Sequence, residues 1–599
     1  MYENVQGVIE MESDYRRLVK AAQGEIPCDL VLTDAALVNV HTGEVQENTN
    51  IGICGNKIAY VGEDELSGGS IISAEGKYVI PGLIDTHVHI ESSQITPPRF
   101  AEAVLPRGTT TVAIDPHEIG NVMGIEGVRL MLESSVKIPL KVFVMVPTCV
   151  PSVEDLETAG ANFSSKEVEE MLKWDRVIGL AEIMDYDGVT KLRERITSII
   201  DVGRKYGVVL DGHCMFLAGK PLNAYISAGI EACHENFTAE AAIAKLRAGM
   251  DYVKIRNLKL MAHQFPGRSE DYISKFARAL NELPSKRSII FCTDDIMSDL
   301  LLQEGHLDGV LKTLIENGYD PIAAIQGATV GAATHLRLYD IGSITPGKRA
   351  DLLVLGGKLE AFTVDTVIAE GELVARYNKL IKPLDVWAFP QQARNTVKLR
   401  PPNEEDFRIR APIENGTQRV RVIDMASIMT RFLTEDVEVR DWFVQTGDLT
   451  TLAMFERHGV SGTKCLALAR NALNDGAVAS TISHDSHNLV AMGRNTQDMN
   501  QAVNSLIQMQ GGVIVVRKGR ILGKLHLPIA GLMSERPVEQ VANEMREVRR
   551  ALKILGRDES GFLSIWAIGL PVVPSARLTD KVLVDSDNQK AVPLFLSSS

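Results

Sequence analysis

Pro81-Gly82-Leu83-Ile84-Asp85-Thr86-His87-Val88-His89 is an apolar strand that ends in two histidines one residue apart. Residues i and i+2 of a strand share a face, so His87 and His89 project together while Val88 turns into the packing behind them. Two imidazoles presented this way are half of a metal site. Taken alone, the same pair also fits two hydrogen-bonded polar residues at a strand end, and the rest of the chain has to decide between these.

From Gly82 onward, apolar runs alternate with helical stretches. The runs fall at residues 82–89, 109–116, 140–147, 176–183, 207–213, 229–234, 250–256 and 288–294. Eight strand-helix units predict an α/β fold whose core is a (β/α)8 barrel, with function at the C-terminal ends of its strands. The helix of Pro321–Leu336 closes it. On the N-terminal side, short β-like runs at Cys28–Leu32, Ala36–Val40, Thr49–Cys54 and Lys57–Val61 read as a small sheet. On the far side, Ile341–Leu355 is a turn leading into a strand that can return to that sheet. The expected layout is a helical extension at 1–27, a composite β-sheet domain from 28–78 and 338–395, and a barrel at 79–337. A Pro-rich, charged linker at 396–415 follows, then a C-terminal α+β domain at 416–599, with helical patterns at Asp498–Met509 and Val538–Leu555.

A chain of 599 residues with 45% apolar and 23% charged side chains has room for several cores. Its net charge of −14 argues against nucleic acid, because phosphate binding needs a basic footprint. A small molecule is the better expectation. No apolar run reaches the ~18 to 20 residues of a membrane span, and the first residues lack the pattern of a signal peptide, so a cytoplasmic protein without membrane partners is expected. Seven cysteines without paired spacing suit free thiols in a reducing compartment.

Other strand ends carry ligand types too. Glu182 follows Val177–Ala181, His213 ends Val208–Gly212, His234 ends Ile230–Cys233, and Asp294 ends Ile289–Thr293. Burying so many convergent polar groups without metal would be costly, which selects the metal reading for His87 and His89. The array suits two divalent ions: four imidazoles supply nitrogen, Glu182 has two oxygens with which to bridge, and Asp294 can bind metal and accept a proton from a bridging water. The fourth run contains no lysine, so a glutamate takes the bridging place. By donor type alone, Zn(II), Mn(II) and Fe(II) all fit.

The HxH strand, the strand-end His, His and Asp, and the return strand around Gly342-Ser343-Ile344 resemble the amidohydrolase superfamily across residues 28–395. PGLIDTHVHIESS (81–93), AIDPHEIGNV (113–122), GLAEIMDY (179–186), DGHCMFLAGKPLNAYISAGIEACHE (211–235), FCTDD (291–295) and ASTISHDSHNLVAMG (479–493) narrow this to a resemblance to the bacterial-type adenine deaminase family over nearly the whole chain. That resemblance implies hydrolytic deamination of adenine to hypoxanthine and ammonia in purine salvage, by a hydroxide bridging two metals, Mn(II) or Fe(II) favoured. It also implies Asp294 as base and proton shuttle, and a homo-oligomer, a dimer first. For the acid that protonates the purine ring nitrogen, Glu118 and Glu235 are the candidates, each beside a histidine, with a solvated loop carboxylate as the alternative. Asp115 and His117 are read as orienting the ligands or touching the metals. His484, Asp485, Ser486, His487 and Asn488 are candidates for reading the purine edge, or else form a turn between two strands. Two other functions stay open: an amidohydrolase acting on a cyclic amide or an N-acetyl substrate, and a non-enzymatic binding barrel.

Overall fold

The computed structural model describes residues 15–264, 271–557 and 564–597. The first half of the expected N-terminal extension lies outside the described residues, and a short helix from residue 15 leads into the first sheet.

Eight parallel strands form the barrel: β1 (Leu83–Val88), β2 (Thr109–Ile114), β3 (Lys141–Val146), β4 (Val177–Ile183), β5 (Val209–Gly212), β6 (Ala232–Cys233), β7 (Tyr252–Ile255) and β8 (Ile289–Phe291), hydrogen-bonded in that order. These are the eight apolar runs of the sequence. The ring closes where Val88 bridges Asp294 in parallel, with the Asp294 N–H donating to His87 O at 3.0 Å. Nearly every residue of β1 and β2 is buried because one face fills the barrel and the other meets helices. Gly82 permits this closeness at the entry to β1, since a Cβ there would sit on Thr110 Oγ1.

A nine-stranded sheet flanks the barrel and takes strands from both sides of it. Tyr78–Pro81, the strand that runs straight into β1, pairs antiparallel with Leu352–Gly356, the return strand. The two short runs expected at 28–32 and 36–40 form one strand, Cys28–Asn39, because Asp34 adopts φ 59° and the resulting irregularity in register lets the chain continue instead of turning.

Beyond residue 415, a second nine-stranded sheet is covered by the helices Thr496–Met509 and Val538–Ile554. The segment read as a linker is packed along this unit: Phe407, Ile409 and Ala411 are buried against it. The C-terminal unit sits on the barrel. One apolar cluster runs from Ile90, Ile95 and Leu301 into Met533, Val541 and Met545, and Ser534 N–H donates to Gln94 O at 2.9 Å. Among the described residues, no helix is long and apolar enough to cross a membrane.

Candidate metal centre and substrate cavity

Glu182, on β4, is the hub of the strand-end cluster. Its Oε1 faces His89 Nε2 at 3.4 Å, His117 Nδ1 at 3.6 Å and His87 Nε2 at 4.0 Å. Its Oε2 faces His213 Nδ1 at 2.6 Å and His234 Nε2 at 3.2 Å. Asp294 Oδ1 lies 3.2 Å from His89 Nε2 and 3.4 Å from His87 Nε2. All six residues read as ligands are therefore brought together, and the two oxygens of one carboxylate face two groups of histidines.

Several features prepare these side chains for metal. The His89 Nδ1 lies 2.9 Å from the Asp115 carbonyl, which fixes that nitrogen as the N–H and leaves Nε2 free to coordinate. His87 stacks on His234 with ring centroids 4.2 Å apart, and burial, helped by His234, pushes its pKa down to about 4, keeping the imidazole neutral. Burial would raise the Glu182 carboxyl, but His213 and His234 outweigh it and hold it well below the usual carboxylate range. Both ring nitrogens of His87 and of His117, His213 Nε2 and both carboxylate oxygens of Asp115 are buried without a hydrogen-bond partner among the described residues. So many orphaned donors and acceptors fit divalent ions bound by nitrogen and carboxylate.

His117 and Asp115 stand closer to the centre than an orienting role requires. Together with His89 and Glu182 they form a group whose ligand atoms all lie within 4.8 Å of one another. His117 opens the helix α1 (His117–Glu133) directly after β2, which turns its ring into the barrel mouth.

Above the cluster lies a cavity of about 130 Å³. Its floor is His89, Glu182, His213 and Asp294, its wall Phe237, Arg256 and Met297, and its roof Met429, His484 and Trp566 from the C-terminal unit. A larger cavity of about 890 Å³ lies by the N-terminal ends of β7 and β8, beside Glu231, Lys286 and Arg337, away from the ligand cluster. In barrels of this kind, chemistry belongs at the opposite face, where the cluster is.

Of the segment His484–Asn488, His484 and Asp485 line the smaller cavity, and Ser486, His487 and Asn488 do not. Asn488 Nδ2 donates to Thr158 O at 2.8 Å, the Ser486 carbonyl lies 2.8 Å from His458 Nε2, and the buried Arg457 donates to the His487 carbonyl. The first of these bonds ties the loop to the barrel, and the other two fix it within the C-terminal unit. Glu118 and Glu235 are both buried, which sets aside a solvated loop carboxylate. Ser92 Oγ lies 2.6 Å from Glu118 Oε1 and 2.5 Å from Asp295 Oδ1. Burial raises the Glu118 carboxyl above its ordinary value. Glu235 Oε1 pairs with Arg256 at 3.0 Å.

Arg256 is the residue that sequence reasoning missed. It immediately follows β7 and hydrogen-bonds Asp294 Oδ2. The strand-end rule reaches it, but a search restricted to metal-binding side chains passes over an arginine.

The amidohydrolase family model matches residues 78–374, and the adenine deaminase C-terminal domain model matches residues 427–590. The chain is 40% identical over 595 residues to an adenine deaminase of Moorella thermoacetica, covering 97% of this chain and 98% of that one. It is 38% identical to an adenine deaminase of Mesorhizobium japonicum, with 97% and 96% covered.

Proposed function

From the premise that this chain belongs to the adenine deaminase family of amidohydrolases, we propose how its residues divide the work of the reaction. The protein is a hydrolytic deaminase: adenine and water become hypoxanthine and ammonia. The observation that carries the site assignment is the convergence of His87, His89, Glu182, His213, His234 and Asp294 beneath a cavity that both units line.

His87, His89, His213, His234, Glu182 and Asp294 would hold two divalent ions, with Asp115 and His117 in reach; Mn(II) or Fe(II) is the favoured pair and Zn(II) an acceptable one. When bound, such ions acidify water and polarise the carbon under attack. Asp294 takes the proton of the attacking water and passes it to the amino group, which leaves as ammonia. Burial opposes its charge, but Arg256 leads the groups that hold its carboxyl well below the usual range. Arg256 on Oδ2 leaves Oδ1 turned to His87 and His89. Glu118 is the better candidate for the ring-nitrogen acid, since burial favours its protonated form and Ser92 lies between it and the cavity. Glu235, paired with a guanidinium, suits accepting a hydrogen bond. A homo-oligomer, a dimer first, a cytoplasmic location and a role in purine salvage complete the reading.

The test is ammonia release from adenine, adenosine, cytosine and guanine by Mn(II)-loaded protein, with metal content and light-scattering mass taken on the same sample. Turnover of adenine with two equivalents of metal supports the assignment. Hydrolysis of a cyclic amide with no release from adenine sinks it.

A further inference from the structure

Glu235 follows β6 and Arg256 follows β7, and both line the cavity over the ligand cluster. The two terminal nitrogens of the guanidinium are engaged, NH2 with Glu235 Oε1 at 3.0 Å and NH1 with Asp294 Oδ2. Two atoms of the pair stand outside these contacts, the acceptor Glu235 Oε2 and the donor Arg256 Nε. Both are buried and neither has a hydrogen-bond partner among the described residues. Leaving such groups unpaired is costly, so the pair is matched to a ligand edge that offers a donor beside an acceptor.

Adenine has such an edge away from the reacting carbon. On the adenine reading, its C6 and amino group have to meet Asp294 above the ligand cluster, and its N1 the Ser92–Glu118 pair. The opposite side of the ring system carries N9–H, a donor, next to N3, an acceptor. We propose that Glu235 Oε2 accepts the N9–H of the free base while Arg256 Nε donates to N3, so that this pair selects a free purine base over one bearing a sugar on N9. A nucleoside has no hydrogen on N9 and would leave the carboxylate oxygen buried and unsatisfied, which is the strongest form of discrimination a small site possesses.

This inference rests on the adenine reading, yet it can be tested without turnover, because hypoxanthine carries the same N9–H and N3. Calorimetric binding of hypoxanthine and 9-methylhypoxanthine to Mn(II)-loaded protein gives the selectivity, while ammonia release from adenine tests the activity separately. The methyl group should weaken binding by about 100-fold or more in the unaltered protein. Glu235→Met removes the acceptor with little change in volume and should bring the ratio between the two ligands to within about tenfold, with metal content retained. Glu235→Gln, which keeps an acceptor oxygen, should fall between. In turnover, the loss in Glu235→Gln should fall on KM more than on kcat, and 3-deazaadenine, lacking the N3 acceptor, should show the same in the unaltered protein. Equal binding of the two ligands by the unaltered protein, an unchanged ratio in both variants, or loss of metal in Glu235→Gln would overturn the proposal. If the Met variant fails to fold, the Gln variant gives the ratio.

Discussion

Glu182 serves both groups of histidines through one carboxylate, so its replacement cannot be local. Glu182→Ala removes both oxygens and should lower bound metal from two equivalents to one or none, with turnover down by about 10³-fold or more. Elemental analysis and ammonia release on one preparation check this, and retention of both metals would show that the bridge lies elsewhere. A second buried carboxyl gives a pH signature. Burial pushes Glu157 up to about 7, although Ser152 Oγ and two backbone N–H groups donate to its Oε1. The folded value lies above the ordinary 4.5, so the folded chain keeps this proton after the unfolded chain has lost it. Its contribution is full below about pH 4.5 and lost as pH rises through about 7, a span worth up to about 3 kcal/mol. Glu157→Gln is neutral at every pH and should lose less stability than the parent between pH 5 and pH 8. Parallel melting curves for the two proteins would contradict this.

The strands were legible because a fully buried parallel strand leaves a bare apolar run, and all eight such runs are barrel strands. Their ends were legible for the same reason, since His213, His234 and Asp294 are polar residues at the close of apolar segments. Two things were hidden. The placement of His484 beside Glu118, 3.6 Å apart, joins residues of two units, and no local pattern encodes a contact across that distance in the chain. The polar bonds inside the barrel were hidden as well. Lys254, on β7, donates to Thr86 O on β1 at 2.8 Å and pairs with Asp211 on β5, which also meets His335 Nε2 at 3.1 Å. These bonds tie the strand that carries His87 to the one that leads into His213. Lys254→Met would leave Asp211 as a buried charge without its ammonium, at a cost of about 3–5 kcal/mol. Urea unfolding should show that loss, and metal titration should show weaker binding, because the two ligand-bearing strands are no longer pinned. An unchanged midpoint would mean that His335 alone satisfies Asp211.

At the scale of the molecule, the C-terminal unit lines the cavity over the ligand cluster. It is held to the barrel mouth by Asp580, whose Oδ1 accepts from Thr158 N–H at 2.8 Å and whose Oδ2 accepts from Thr463 at 2.5 Å, and by Arg549 on Asp299 at 2.5 Å. Asp580→Ala loosens the roof without touching a metal-binding side chain. It should raise KM for adenine about tenfold or more while the metal content stays at two equivalents. Loss of metal with KM unchanged would place the effect in the barrel. The family models divide the chain into 78–374 and 427–590, and the cavity takes residues from both.

The Val88–Asp294 bridge that shuts the barrel also sets an order of events. The same backbone seam brings His87 and Asp294 side by side, so the first ligand strand meets the last ligand only when every strand between them is in place. A growing chain therefore has no complete ligand set until Asp294 has been synthesised and folded, and full metal binding is expected only once the barrel is complete. A chain released before Ile289 is expected to hold fewer equivalents than the whole protein, which elemental analysis of such a truncation would show. On the two-metal reading, full loading is thus expected to report that the barrel has closed.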